Sequence, residues 1–167
     1  MRPLPWPISP RSKPSCTVCV AFCPSISKLH GAELYVSSDD GSSLYTFEFD
    51  RDADAPAIKI GTRALRIGAA ARVLDEQKPV FVPDLSQEML KHRELAPFAP
   101  EVVGRSTYLF PVSTSQKRYG ILSTPKLQGQ QFAPEEIEML RSLASHVAVA
   151  LECALARDSV ELLPAAS

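Results

Sequence analysis

The chain has 167 residues, of which 45% are hydrophobic, and a formal net charge of −1. This length and composition predict one soluble domain that buries its own core, with no need for a second domain. The near-zero charge argues against direct nucleic-acid binding, and no apolar run approaches the length that spans a bilayer. We therefore expect a cytoplasmic protein with no membrane partner.

The first 23 residues are predicted to form a basic, poorly ordered arm outside the domain. Residues 1–15 contain five prolines and no apolar period, which excludes a helix or a central strand. Residues 1–32 carry four cationic side chains and no acid, which leaves a net charge of −5 on the rest of the chain. We interpret this basic segment as a solvated tail. A short helix is predicted to begin at Pro24 and to end near Gly31.

Three cysteines of this N-terminal region, Cys16, Cys19 and Cys23, have a spacing similar to the later part of a ferredoxin cluster motif. Only three ligands are local, however, and the residues between them are mostly apolar. Packed or exposed thiols are the favoured interpretation, and we predict no metal site. A redox or iron sensor that uses these cysteines is kept as an alternative.

The middle of the chain alternates short strands with short helices. Apolar, β-branched and aromatic runs predict strands over residues 32–37, 43–49, 57–60, 80–82, 105–113 and 119–126. A turn cluster at residues 39–42 predicts a hairpin between the first two strands. Segments 68–77 and 85–93 are predicted to be helical, and Asp84 is placed to cap the second. Residues 96–104 are interpreted as a proline-containing loop.

The strongest helical signal lies near the C-terminus, in QFAPEEIEMLRSLASHVAVALECALAR (residues 131–157). Pro134 suits the first turn, and the two glutamates after it lie where the helix dipole favours acids. Apolar residues at helical spacing predict one buried stripe, formed by Ile137, Leu140, Ala144, Ala148, Leu151 and Leu155. A narrower series predicts a seam that pairs with a second copy of the chain in a homodimer, formed by Met139, Leu143, His146, Ala150 and Cys153.

Three phrases occur in a characteristic order: AARVLDEQKPVFVPDLS, RSTYLFPVS followed by YGIL, and FAPEEIEMLRSLASHVAVALECA. Through them, residues 32–157 resemble a GAF domain of the kind found in bacterial enhancer-binding transcription activators of the formate-hydrogenlyase-activator type and in histidine kinases. The resemblance implies an α+β fold with an antiparallel sheet of five or six strands. Terminal helices would cover one face and a small-molecule pocket the other. The domain would comprise residues 24–158, with a C-terminal tail over 159–167.

Two features depart from the family pattern. Members usually begin with a long helix before the first strand, whereas prolines interrupt the corresponding region here. The signature of the members that bind cyclic nucleotides is also partial. Lys126, Phe132 and Glu136 are suitably spaced, but Pro125 and Ile137 stand where an amide and an acid are expected. We therefore do not expect cyclic nucleotide binding.

The predicted function is a non-enzymatic sensory or regulatory domain that binds an unidentified small molecule and transmits its state through the terminal helix. No cysteine falls between Pro24 and Glu152. The pocket loops thus lack the nucleophile that the methionine sulfoxide reductases of this fold use, and no Ser/His/Asp set replaces it. We expect no catalytic residue and assign no cofactor. The alternative is an interaction module that dimerises without a ligand.

The pocket is expected between the sheet and residues 83–104, the longest irregular region. Arginine side chains there would suit an anionic group, and aromatic side chains would suit a ring. The candidate ligand-binding residues are Phe81, Asp84, Arg93, Arg105, Tyr108 and Phe110.

Overall fold

An antiparallel sheet of seven strands forms the centre of the fold in a computed structural model that describes residues 32–37, 43–50, 57–60 and 64–161. The strands are β1 (Glu33–Ser37), β2 (Ser43–Asp50), β3 (Ala57–Ile60), β4 (Ala64–Leu65), β5 (Val80–Val82), β6 (Arg105–Ser113) and β7 (Arg118–Leu127). Six strands follow the order β3-β2-β1-β7-β6-β5, and β4 pairs with the start of β2. The expected sheet is confirmed, with β4 as an addition. Two residues are too few to leave a strand period in the sequence.

Three α-helices and one 3-10 helix complete the described part of the chain: α1 (Gly68–Glu76), α2 (Leu85–Leu90), the 3-10 helix (Ala96–Val102) and α3 (Pro134–Glu161). Helix α2 is shorter than the predicted segment 85–93. The interpretation of residues 96–104 as a loop is wrong, because the 3-10 helix occupies most of them. Such short helices have no 3.6-residue apolar period by which to recognise them. Among the described residues, no helix combines the length and apolarity needed to cross a bilayer.

Alternate residues of the central strands point to opposite sides of the sheet and fill two separate cores. On one side, which we call the α3 face, Leu34, Phe110 and Leu122 pack with α3. On the other side, the short-helix face, Leu109 and Ile121 pack with α1. Consecutive residues of β6 and β7 therefore serve different cores, which is why these strands read as continuous apolar runs. The expected division between the terminal helix and the short helices is confirmed.

Helix α3 begins at Pro134, as predicted, and continues for 28 residues. Its buried stripe faces the sheet and consists of Leu140, Leu143, Ala144, Val147, Ala148 and Leu151. The structure corrects the placement of Leu143, which was assigned to the dimer seam. This side chain is only 8% exposed and belongs to the core on the α3 face. Its position between Leu140 and Val147 on the helix surface turns it towards the sheet.

Candidate functional site

The short-helix face is covered by several small elements instead of one long helix. Helix α1 packs on the centre of this face, and its apolar residues contact those of β5, β6 and β7: the cluster contains Ala69, Val73, Leu74, Val82, Leu109 and Ile121. Leu85, the first residue of α2, packs against the same cluster. Short covering elements expose more of their edges than one long helix does, and binding sites commonly form among such elements.

Polar side chains lie on the same face, next to this apolar cluster. Thr107 and Ser123 are both buried, and their hydroxyl oxygens are 3.0 Å apart, within hydrogen-bond distance. Glu33 stands opposite Ser123 in the β1–β7 ladder, and its carboxylate accepts a hydrogen bond from the Tyr35 hydroxyl. The face therefore combines an apolar wall with a carboxylate, a phenol and two hydroxyls. This mixture is typical of small-molecule sites.

Glu33, Tyr35, Thr107 and Ser123 are not among the site residues predicted from the sequence. Each lies in a strand that reads as ordinary sheet, and a hydroxyl in a strand carries no motif. The signal that could have found them is strand alternation. Residues 107 and 109 of β6 and residues 121 and 123 of β7 alternate onto the short-helix face, so Thr107 and Ser123 are the polar neighbours of Leu109 and Ile121.

Residues 83–104 connect β5 to β6 and contain α2 and the 3-10 helix; we call them the lid segment. Both of its ends contact Gln128, in the turn after β7. The Gln128 side-chain amide donates to Asp84 Oδ2 at 3.3 Å, and the Gln128 backbone N–H donates to the Gly104 carbonyl at 2.8 Å. The lid segment is therefore a long connection between β5 and β6 whose two ends both bond to Gln128.

Asp84 caps α2, as predicted from the sequence. Its Oδ1 accepts hydrogen bonds from the Gln87 backbone N–H at 3.0 Å and from the Ser86 hydroxyl at 2.8 Å. These bonds, first that from Gln87 and then that from Ser86, lower the pKa of Asp84 from its ordinary value of 3.8. With Gln128 on Oδ2, both carboxylate oxygens have partners. In this structure Asp84 holds the lid segment in position.

The two candidate arginines lie at opposite ends of the chain segment that includes the 3-10 helix. Arg93 is exposed in the turn after α2. Arg105 is exposed at the first position of β6, where it pairs with Leu127 and shares its strand side with Thr107. Arg105 is thus the candidate cation that lies at the edge of the short-helix face.

The three aromatic candidates lie on the α3 face, away from the short helices. Phe110 is fully buried, and Tyr108 stacks on it with ring centroids 4.8 Å apart. Phe81 is 45% exposed and lies 5.6 Å from the Tyr108 ring, while Phe132 contacts both edge-on. The structure therefore separates these aromatics from Arg105 by the thickness of the sheet. Strand alternation is the cause, because even-numbered residues of β6 face α3.

The first turns of α3 are fastened to β7 through Lys126. Its ammonium group donates to the Gln131 carbonyl at 3.0 Å, pairs with the Glu136 carboxylate at 2.5 Å and lies 4.2 Å from the centre of the Phe132 ring. The residues that matched part of the cyclic-nucleotide signature are therefore brought together. Here they connect the end of β7 to the start of α3.

On the outer side of α3, exposed residues recur with alternating spacings of three and four. We call them the outer stripe: Met139, Ser142, His146, Val149 and Cys153. Met139 and Val149 are 46% and 53% exposed, and Cys153 is a free thiol. Ala150 is half-buried at the margin of this stripe. Three of the five predicted seam residues thus lie in the outer stripe, which gains Ser142 and Val149 in place of Leu143.

The described residues contain no group of three or more His, Cys, Asp and Glu side chains that could hold a metal ion. Several predictions fall outside these residues: the basic arm, the short helix after Pro24, the turn at residues 39–42 and the role of Cys16, Cys19 and Cys23. They stay predictions.

Comparison with known proteins adds a family and several solved structures. A family model described as a GAF domain matches residues 17–152. The second GAF domain of DevS from Mycobacterium smegmatis is 16% identical, with 89% of this chain and 99% of that chain covered and a TM-score of 0.63. The GAF domain of a sensor histidine kinase from Bacillus halodurans is 14% identical, with 84% and 95% covered and a TM-score of 0.62. No curated protein matches.

A third structure comes from another class of protein. The GAF domain of a phosphoenolpyruvate-protein phosphotransferase from Acinetobacter is 18% identical, with 83% of this chain and 78% of that chain covered and a TM-score of 0.58. At these identities the similarity concerns the fold. The specific resemblance to enhancer-binding activators has no counterpart among these structures.

Proposed function

This chain belongs to the GAF domain family, and from that premise we propose that it is a non-catalytic sensory domain of a bacterial signalling or transcription-regulatory protein. GAF domains are sensory and regulatory modules of sensor kinases and other signalling proteins. The proposal adds that this domain acts in the cytoplasm, binds a small molecule on its short-helix face and transmits its state through α3 in a homodimer.

The observation that carries the proposal is the buried pair of hydroxyls beside the apolar cluster on the short-helix face. A hydroxyl group can donate one hydrogen bond and accept two, so a pair that bonds to each other keeps further capacity to accept a bond from a ligand. Thr107 and Ser123 satisfy each other, and Glu33 with Tyr35 lies next to them. Such groups give a ligand fixed points for hydrogen bonding, while Leu109 supplies apolar contact.

A thermal-shift screen with nucleotides, amino acids and aromatic acids tests this proposal. For a compound that raises the melting temperature, Thr107→Val should weaken binding roughly tenfold, because the isosteric side chain removes one hydrogen-bonding hydroxyl. Thr124→Val is the matched control, since Thr124 is also buried but bonds to the Tyr108 carbonyl and shares the α3 side of β7 with Leu122. Its dissociation constant should equal that of the wild type.

The same screen tests whether the two candidate arginines contact the ligand. An anionic compound should bind more weakly to Arg105→Ala or Arg93→Ala. Binding that is insensitive to Thr107→Val and abolished by Phe81→Ala would contradict the proposed face and move the site to the aromatic group on the α3 face.

The second candidate function is a dimerisation module without a ligand. The outer stripe favours it, because an uncharged heptad series exposed on a long helix is the pattern of a helix-pairing surface. A protein that is dimeric while no compound changes its melting temperature would support this second function over the first.

A further inference from the structure

The turn between β7 and α3 is the point where the lid segment meets the terminal helix. Gln128 lies in this turn and contacts both ends of the lid segment, as described above. The two contacts differ in kind. The bond to Gly104 is made by the Gln128 backbone, whereas the bond to Asp84 is made by an exposed side chain over 3.3 Å. The Gly104 end of the lid segment is thus fixed by a main-chain bond. The Asp84 end is held by a side-chain bond that is easily broken.

The geometry at the fixed end suits a hinge. Gly104 has φ of +73°, a conformation that side chains with a Cβ rarely adopt, and nothing lies within 4 Å of where a Cβ would be. A glycine with open space around it can change its backbone angles without a collision. At the other end, Asp84 begins α2, so releasing its bond to Gln128 frees the start of that helix while the cap remains.

The same turn is closed by two bonds of its own, and Lys126 beside it contacts α3. The Leu127 backbone N–H donates to Gln130 Oε1 at 3.2 Å, and the Gln130 backbone N–H donates to the Leu127 carbonyl at 3.0 Å. One residue before the turn, Lys126 holds the Gln131 carbonyl and Glu136. A displacement of Gln128 therefore moves a tightly bonded turn that lies shortly before Pro134, the first residue of α3.

We propose that Gln128 is a latch that couples the position of the lid segment to the start of α3. With the latch closed, Asp84 and Gly104 are held together and the turn is fixed. With the latch open, the lid segment swings about Gly104, and the β7–α3 turn loses its anchor to α2. Two arrangements of the Gln128 side chain thus link the short-helix face of the sheet to α3. The signalling meaning of this coupling rests on the proposed function, but the coupling itself does not require a ligand.

Hydrogen–deuterium exchange of the ligand-free protein tests the latch. In Gln128→Ala, amides of the lid segment should exchange about threefold to tenfold faster, as expected for the loss of one hydrogen bond. Amides in the first two turns of α3 should also exchange faster. Asp84→Ser should give the same pattern, because serine keeps an N-cap acceptor for α2 but lacks the second oxygen that Gln128 reaches.

The matched control is Gln131→Ala, which removes the same type of side chain three residues further on. The contact of Gln131 with Lys126 uses the backbone carbonyl, so the substitution preserves it. Exchange should then equal that of the wild type in both regions.

Two results would overturn the inference. Unchanged exchange of the lid segment in Gln128→Ala would show that the side chain does not hold it. Faster exchange of the lid segment without any change at the start of α3 would show a latch without coupling. Because these measurements use no ligand, a failed compound screen would count against the proposed function and leave the latch intact.

Discussion

Gly120 lies where β7 passes β1, at a position without room for a side chain. It pairs with Val36, and a Cβ built on it would lie 1.8 Å from the Tyr35 carbonyl oxygen and 2.8 Å from the carbonyl carbon. These are backbone atoms of a central strand, so they cannot move aside as the end of a flexible side chain could. The requirement for glycine here comes from space, since its backbone angles are ordinary for a strand.

Gly120→Ala is expected to lower the free energy of unfolding by about 3 kcal/mol or more, because the methyl group must push β1 and β7 apart. Gly104→Ala is the comparison, since there the added Cβ meets no atom and the cost of about 1 kcal/mol comes from the positive φ alone. Urea denaturation measures both. Equal losses in the two variants would show that the close approach between the strands is absent in solution.

Glu88 is the acidic centre of a charged group on the outside of the short helices. Its carboxylate accepts from Lys91 at 2.8 Å and from Arg72 at 3.2 Å. The hydrogen bond from Lys91 outweighs the opposing effect of burial, and with the nearby positive charges it lowers the pKa of Glu88 from the ordinary value of 4.5. Arg72 belongs to α1 and Glu88 to α2, so this charged group joins the two helices.

A lowered pKa in the folded state means that the unfolded state binds more protons just below pH 4.5. The stabilisation by Glu88 is therefore complete above that pH and is lost as the pH falls through the folded-state pKa. We expect the free energy of unfolding to decline between about pH 5 and about pH 3, and to decline less in Glu88→Gln. Asp84, whose pKa is also lowered, accounts for part of the decline that persists.

Urea denaturation at a series of pH values provides the measurement, with Glu94→Gln as an exposed control that should retain the full decline. A Glu88→Gln variant whose pH profile is parallel to that of the wild type would contradict the assigned charge contacts.

Among the elements, α3 is distinctive because it presents two stripes with different neighbours. The buried stripe fixes the helix to β6 and β7, and the outer stripe has exposed apolar side chains that no described residue covers. Exposed side chains as large as Met139 and Val149 on one helix line favour pairing with another surface. The spacing of three and four suits a second copy of the same helix.

Val149→Glu should convert a dimer to a monomer in analytical ultracentrifugation, because a charge at the centre of a helix pair is buried without a partner. Ser145→Glu introduces the same charge outside the outer stripe and should leave the dimer intact. In a background with Cys16, Cys19 and Cys23 replaced by serine, mild oxidation should also link two chains through Cys153 if the helices run parallel. A wild-type protein that sediments as a monomer at high micromolar concentration would disprove the pairing.

For the molecule as a whole, the sequence was sufficient to predict those elements whose signal is local or repeats along the chain. The start of α3, the cap at Asp84 and the strands of the β6–β7 pair follow from turn chemistry and periodicity, and the structure agrees with them. The 3-10 helix and β4 were missed because elements of so few residues have no period.

The candidate site was harder to predict than the fold. Tyr108, Phe110 and Arg105 were predicted to share one site, but they face opposite sides of β6. The sequence alone does not tell which side each residue faces. Aromatic side chains attract attention in a sequence, whereas Thr107 and Ser123 do not, although these hydroxyls lie on the short-helix face. A bond between two strands is set by their register, and register depends on long-range pairing that no short stretch of sequence records.

The single sheet that separates the two cores has a consequence for how such a domain can change over generations. Residues of β6 on the short-helix face, where the ligand is proposed to bind, are covalently flanked by residues that pack with α3, as Leu109 is by Tyr108 and Phe110. A substitution that shifts the strand to suit a new compound would also disturb the packing of α3. Lineages should therefore acquire new specificities first in α1, α2 and the lid segment, while the central strands change slowly and in compensating pairs.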